Sequence, residues 1–246
     1  MPDWINVFFD WLALPSLALL AGLLIYRKQH KEFPLFFLYI ISTELVGLTR
    51  LAASRAPALV YSRVYWISNI VVVLFALLAS YELFIKRLFP SFYKVRFFRY
   101  LFPLVAILFN VVAVLVAIYG NHKRLLLLTA RTSEFLRATI LSFFVALMTV
   151  MGRQWGKKEF GIAFGFGLDV STSLAAVALV SQSPARTDLL NRFSVIAYDI
   201  ACIIWLYCFW TARETTAAPP PVSPQALEEA RKWESSLKGF VTPGKR

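Results

Sequence analysis

The run PLFFLYIISTELVGLTRLAA, residues 34–53, decides the class of this protein, because its twenty positions hold only two charged side chains, Glu44 and Arg50. At about 1.5 Å of rise per residue it covers the roughly 30 Å of hydrocarbon in a bilayer. Working outward, comparable apolar runs occupy residues 8–26, 61–85, 100–119, 126–151, 161–181 and 193–212, which makes seven. Hydrophobic residues are 59% of the 246 and charged residues 16%. A soluble domain is nearer 25% charged, so the balance excludes an ordinary water-soluble core. The expected fold is all-α, a polytopic bundle of seven transmembrane helices spanning residues 1–213.

The links between runs carry most of the positive charge. Links one, three and five hold eleven Lys and Arg, among them Arg27, Lys28, Lys31, Lys86, Arg87, Lys157 and Lys158. The opposite side holds seven, counting the span-end residues Arg50 and Arg63. Short cytoplasmic loops hold the excess of basic residues, so the N-terminus is expected outside and the C-terminus in the cytoplasm. Tyr and Trp near run ends, such as Tyr26, Tyr61, Tyr65, Trp155 and Trp210, suit the membrane interface. The formal charge of +12 is thereby explained by topology, and nucleic acid is not an expected partner. No Lys or Arg precedes Arg27, so the first run lacks the basic start of a secretory signal and is expected to be retained. Cys202 and Cys208 are the only cysteines, which provides neither a disulfide framework nor a metal cluster. No cofactor is expected.

After the last run, the Pro-, Ala- and Thr-rich stretch near 215–224 reads as an extended linker. Ser223 and Pro224 then suit the start of a helix over about 225–238. Leu227, Ala230, Trp233 and Leu237 fall on one face of it, and Glu228, Arg231, Lys232 and Ser235 on the other. Residues 214–246 are therefore expected to form a cytoplasmic tail with one amphipathic helix. Links one and five also resemble each other. Lys31-Glu32-Phe33 and Lys158-Glu159-Phe160 are offset by 127 residues, which suggests two parallel three-helix repeats joined by the fourth span.

Beyond Asp10 at the start of the first run, five carboxylates lie within the apolar runs: Glu44, Glu82, Glu134, Asp169 and Asp199. Each costs about 2.5–3.5 kcal/mol at a helix centre on insertion scales, so each needs a partner or water. Arg131, Glu134 and Arg137 follow one another at three-residue spacing on one helix face. Glu44, Asn110 and Asp169 fall near mid-membrane, and Asp199 falls between the middle and the outer edge. The candidate ligand-binding set is Glu44, Asn110, Arg131, Glu134, Arg137, Asp169 and Asp199, gathered around a polar cavity open to the outside. The competing structural reading pairs the same groups as buried ion pairs, Arg137 with Asp169 or Arg131 with Asp199. Glu82 and Arg63 are expected at the water interface. Gly161 and Gly165 have the spacing that lets two helices approach closely. Phe160, Phe164 and Phe166 alternate with these glycines and are candidates for an aromatic wall near Asp169.

The runs Glu32 to Tyr39, Phe135-Leu136-Arg137 and Phe160 to Gly167 resemble those of an uncharacterised group of bacterial multi-pass membrane proteins, a likeness over residues 27–181 that implies an inner-membrane location and brings no known activity. The three-one-three arrangement resembles sugar transporters of the SWEET type and related vitamin transporters, although the Pro-Gln pair of that wider group occurs here only at Pro224-Gln225. Retinal binding of the microbial-rhodopsin kind needs a lysine in the seventh span, and 193–212 has none. The leading function is binding of a small polar or ionic ligand for transport or sensing. The alternatives are a non-catalytic scaffold or signalling partner, with homo-oligomers left open, and a carboxylate hydrolase, which lacks any His within a span. An epitope at the N-terminus should react on intact cells, and one at the C-terminus only after permeabilisation. The reverse pattern overturns the topology.

Overall fold

The computed structural model describes residues 3–88, 155–180 and 187–212, with isolated positions at 94, 100, 104, 111, 135, 137–139, 141, 142, 145, 224, 228, 231, 232 and 235. All regular structure among these residues is helical. Helix α1 covers Asp3–Tyr26, α2 covers Pro34–Ala53 and α3 covers Ala58–Tyr81. Helix α4 covers Lys157–Val180 and α5 covers Thr187–Thr211. Three helical stretches among the described residues are long and apolar enough to cross a membrane: Pro34–Ala53, Val60–Leu88 and Arg192–Thr211. The runs expected over 100–119 and 126–151 lie outside the described residues except at single helical positions. In the tail, Glu228, Arg231, Lys232 and Ser235 are helical and exposed.

Helix α2 is central. It packs on α1 and α3, and its inner face meets α4 and α5, which also pack on each other. Phe36 contacts Phe166, Trp205 and Phe209 at centroid separations of 6.1, 5.5 and 5.6 Å. Tyr39 contacts Phe166 at 5.1 Å and Trp205 at 5.9 Å. These rings are almost wholly buried and form the middle of the core. Edge-to-face packing of this kind adds about 0.5–1.5 kcal/mol per pair beyond burial. Phe166 joins the core, while Phe160 and Phe164 stack on each other and face outward at 49% exposure each, so the expected aromatic wall consists of Phe166 alone. Helices α4 and α5 meet closely because Gly161 and Gly165 have no Cβ. A Cβ on Gly161 would lie 2.6 Å from that of Cys208, and one on Gly165 would strike the Trp205 indole nitrogen. The glycine spacing thus serves packing.

One end of the bundle is tied by charge. Arg27, at the end of α1, donates through Nη1 to the carbonyls of Phe209 (3.1 Å) and Ala212 (3.3 Å) at the end of α5. The carboxyl end of a helix carries partial negative charge, so a cation there is favourable. Glu32 binds Lys158 at 2.8 Å and Arg87 at 3.3 Å, joining the link before α2 to the end of α3 and the start of α4. Arg87 also lies over the Phe33 ring at 4.6 Å. The ends of α1, α3 and α5 and the starts of α2 and α4 therefore share one face of the bundle, and Arg27, Arg87 and Lys158 of the odd-numbered links lie there.

Beyond Tyr81, α3 widens into a π-helix over Glu82–Leu88. Four successive side chains here, Glu82, Leu83, Phe84 and Ile85, are buried, so this segment is enclosed on most of its circumference. Glu82 is wholly buried instead of lying at the interface. Its Oε2 accepts the backbone N–H groups of Leu35 (2.8 Å) and Phe36 (3.0 Å). These are free donors in the first turn of α2, and Phe33 at the N-cap has no side chain that can accept them. Lys86 stands 3.7 Å from the other carboxylate oxygen. Charge-assisted bonds of this kind contribute about 1.5–3 kcal/mol each. Glu82→Leu should therefore lower unfolding free energy by about 3 kcal/mol or more, and Glu82→Gln, which keeps an acceptor, by about 1 kcal/mol. Thermal unfolding in detergent reads the difference, and equal losses would reject the capping role.

Candidate functional site

Above the aromatic core, a cavity of about 530 Å³ opens between the helices. Its wall takes Leu14 and Leu17 from α1; Tyr39, Thr43, Gly47 and Arg50 from α2; Asn69 and Val72 from α3; Asp169 and Ser173 from α4; Tyr198 from α5; and Arg137. Tyr39 is at the floor, in contact with Phe166 and Trp205. Arg50, Ser54 and Tyr61 line the cavity nearer the other end of the bundle. The eleven steps from Tyr39 to Arg50 correspond to about 16 Å of helix, so the cavity reaches deep into the bundle. Its depth follows from α2 spacing, because Tyr39, Thr43, Gly47 and Arg50 recur every three or four residues on one face. Gly47 leaves room for Leu14, and a Cβ there would lie 2.7 Å from the leucine Cδ2.

Arg137 and Asp169 meet in the wall. Arg137 Nη2 donates to Asp169 Oδ2 at 2.8 Å, and their side chains are 8% and 13% exposed. Tyr39 and Tyr198 line the same cavity as Asp169. Arg50, nearer the mouth, is held to α3. Its Nε donates to Ser68 Oγ at 2.9 Å, and its guanidinium covers the Tyr65 ring at 4.5 Å. Such a stack desolvates the cation on one side while leaving its edge available.

Of the sequence-derived set, Arg137 and Asp169 line the cavity together. Asp199 is 1% exposed and follows Tyr198 on α5, behind the wall. Glu44 is partly buried on α2 and lies outside the lining. Asn110, Arg131 and Glu134 lie outside the described residues. Sequence reasoning passed over Tyr39, Thr43 and Tyr198. The available signal was position, because a tyrosine several residues inside a span is too deep for the interfacial belt and its hydroxyl needs a polar neighbour.

Donors and acceptors of both charge signs thus face a common space, with an apolar strip from Leu14, Leu17 and Val72 beside them. A largely apolar wall with a few convergent polar groups is what small-molecule sites have in common, and the volume lies in their usual range of about 300–1,000 Å³. No protein-family model, curated protein or solved structure matches the chain.

The buried pair supplies a direct test of coupling. Arg137→Gln leaves Asp169 without its described cation and should cost about 3–5 kcal/mol. Arg137→Gln with Asp169→Asn should lose clearly less than the sum of the two single changes, by about 1 kcal/mol or more. Additive losses in thermal unfolding would mean that the two groups are not a pair.

Proposed function

We propose that this chain is a seven-span membrane protein of a bacterial inner membrane, N-terminus outside and residues 214–246 in the cytoplasm, that binds a small polar ligand as a transporter or sensor. The observation that carries the reading is the cavity of about 530 Å³ with a nearly buried Arg137–Asp169 pair in its wall. An ion pair that serves only to join helices gains little over apolar packing, because desolvation offsets attraction. A pair facing a cavity can instead exchange partners with a ligand. The three helices long and apolar enough to cross a membrane support the bilayer as the chain's environment.

The side on which the cavity is closed supports entry from outside. The aromatic core and the Glu32–Arg87–Lys158 cluster lie beneath the floor, on the face where the basic links gather. By the excess of basic residues, that face is the cytoplasmic one. Two contacts also favour the paired three-helix repeats. Glu32 of the first triplet binds Lys158 of the second, and the 127-residue offset relates Tyr39 to Phe166, whose rings meet at 5.1 Å. Ligand-binding residues on this reading are Arg137 and Asp169, with Glu44 and Asp199 behind them and Asn110, Arg131 and Glu134 from the neighbouring spans.

Single cysteines test the cavity without knowledge of the ligand. In a chain with Cys202 and Cys208 replaced by Ala, Ser173→Cys should react with a membrane-impermeant thiol reagent added outside, and should be inert to the same reagent added from the cytoplasmic side. Ala76→Cys, in the packed core at 1% exposure, should stay unmodified from both sides. If Tyr61→Cys at the mouth reacts and Ser173→Cys does not, the interior is sealed and the scaffold reading replaces this one.

A further inference from the structure

One cation in the cavity wall has no opposite charge against it, and that sets the class of ligand, an inference that rests on the ligand-binding reading above. The charged residues lining the cavity, among those described, are Arg50, Arg137 and Asp169. Arg137 has Asp169 at 2.8 Å. Arg50 has no carboxylate within ion-pair distance among the described residues. Its Nε donates to Ser68 Oγ at 2.9 Å and its Nη2 to the Tyr65 carbonyl at 3.4 Å, and both acceptors are neutral. The Tyr65 ring covers the guanidinium at 4.5 Å. These contacts hold the group in place but supply no full negative charge, and none of them uses Nη1. An arginine cannot escape by losing its proton. A half-buried guanidinium one turn inside the end of an apolar helix is therefore stabilised when an anion meets it.

The surroundings fit an anion that carries an apolar part. Asn69, next in sequence to the Ser68 that holds Arg50, lines the same cavity with an amide able to donate. Val46 stands one turn before Arg50 on α2, and Leu14, Leu17 and Val72 of the flanking helices provide further apolar surface. The stretch 51–63, which joins α2 to α3 at this end, adds the exposed Arg55 and Arg63 and no acid, so it draws anions toward the mouth. From this arrangement we infer that the cavity takes a small organic monoanion, a carboxylate whose charged end pairs with Arg50 and whose apolar part lies along Leu14, Leu17 and Val72. The Arg137–Asp169 pair stays closed.

The test uses the full-length chain, with Cys202 and Cys208 replaced by Ala, in phosphatidylcholine vesicles. Val46→Cys is exposed from outside to two impermeant thiol reagents of opposite charge, sulfonatoethyl and trimethylammonioethyl methanethiosulfonate. Their rate ratio, divided by the ratio for free 2-mercaptoethanol, should favour the anionic reagent by about 10-fold. Arg50→Gln should abolish that preference, and Arg50→Lys should retain it. No preference for the anionic reagent, or a preference that survives Arg50→Gln, overturns the inference. Hexanoate and benzoate are then added as competitors beside their amides and the matching amines, hexylamine and benzylamine. At least one carboxylate should slow the reaction, and its amide and amine should be about 10-fold less effective. Protection by neither carboxylate, or equal protection by a neutral or cationic analogue, overturns the inference. So does protection by phosphatidylglycerol in the vesicle in place of the carboxylates, which assigns Arg50 to a lipid headgroup. Where Ser173→Cys still reacts from outside, such results leave the cavity standing and remove only the anion. If neither cysteine reacts, the ligand-binding reading falls and this inference with it. Should Arg50→Gln not accumulate, the rate ratio with Arg50 in place and the competitor series decide the matter.

Discussion

The amino end of α2 is a place where a helix entering the protein interior must find partners for backbone groups that its own turns cannot satisfy. Pro34 removes one donor, and the Glu82 carboxylate takes two more, at Leu35 and Phe36. The cap comes from another helix, so it fixes α2 against α3 as well as satisfying the backbone. Water is absent from an apolar interior, so the alternative to Glu82 is not a solvated end but an unsatisfied one. Everything that α2 carries follows from that placement: Phe36 and Tyr39 in the core, then Thr43, Gly47 and Arg50 along the cavity.

The cap comes from the π-helical end of α3, where Glu82, Leu83, Phe84 and Ile85 are all buried because neighbouring elements enclose this segment on most sides. Arg87, on the same segment, then reaches Glu32, which holds Lys158 at the start of α4. A charged layer therefore lies beneath the aromatic one, and the two close the bundle at one end. At the other end the helices leave space between them. The polarity of the molecule, closed below and open above, arises from which end has capping charges and large rings to fill it.

Much of the candidate site was legible before any coordinates. Asp169 and Arg137 stand out because an apolar run tolerates charge only when something satisfies it, and their pairing was one of two readings drawn from their depth. The Gly161 and Gly165 spacing likewise announced a close helix contact. Other features were not legible. Glu82 sits about one turn from Lys86 and Arg87 at a run end, a pattern that ordinarily means the interface, whereas the fold buries it against the start of α2. Phe160, Phe164 and Phe166 look equivalent in sequence, yet 100° of rotation per residue sends Phe166 to the core and the other two outward. Tyr39 and Tyr198 belong to different helices, and nothing in either segment records that they line one cavity.

The sequence by itself determined the helical class and which helices are long and apolar enough to cross a membrane, because hydrophobic length is an additive property of each segment and needs no knowledge of neighbours. It also determined which residues must be accounted for. Tertiary structure alone decided which of those residues share a space: Arg137 with Asp169 and the two tyrosines in the cavity wall, Asp199 behind it, Glu82 at a helix end. Those outcomes depend on the rotation and approach of whole helices, set by glycine contacts between different helices and by ring packing between α2 and segments more than a hundred residues away.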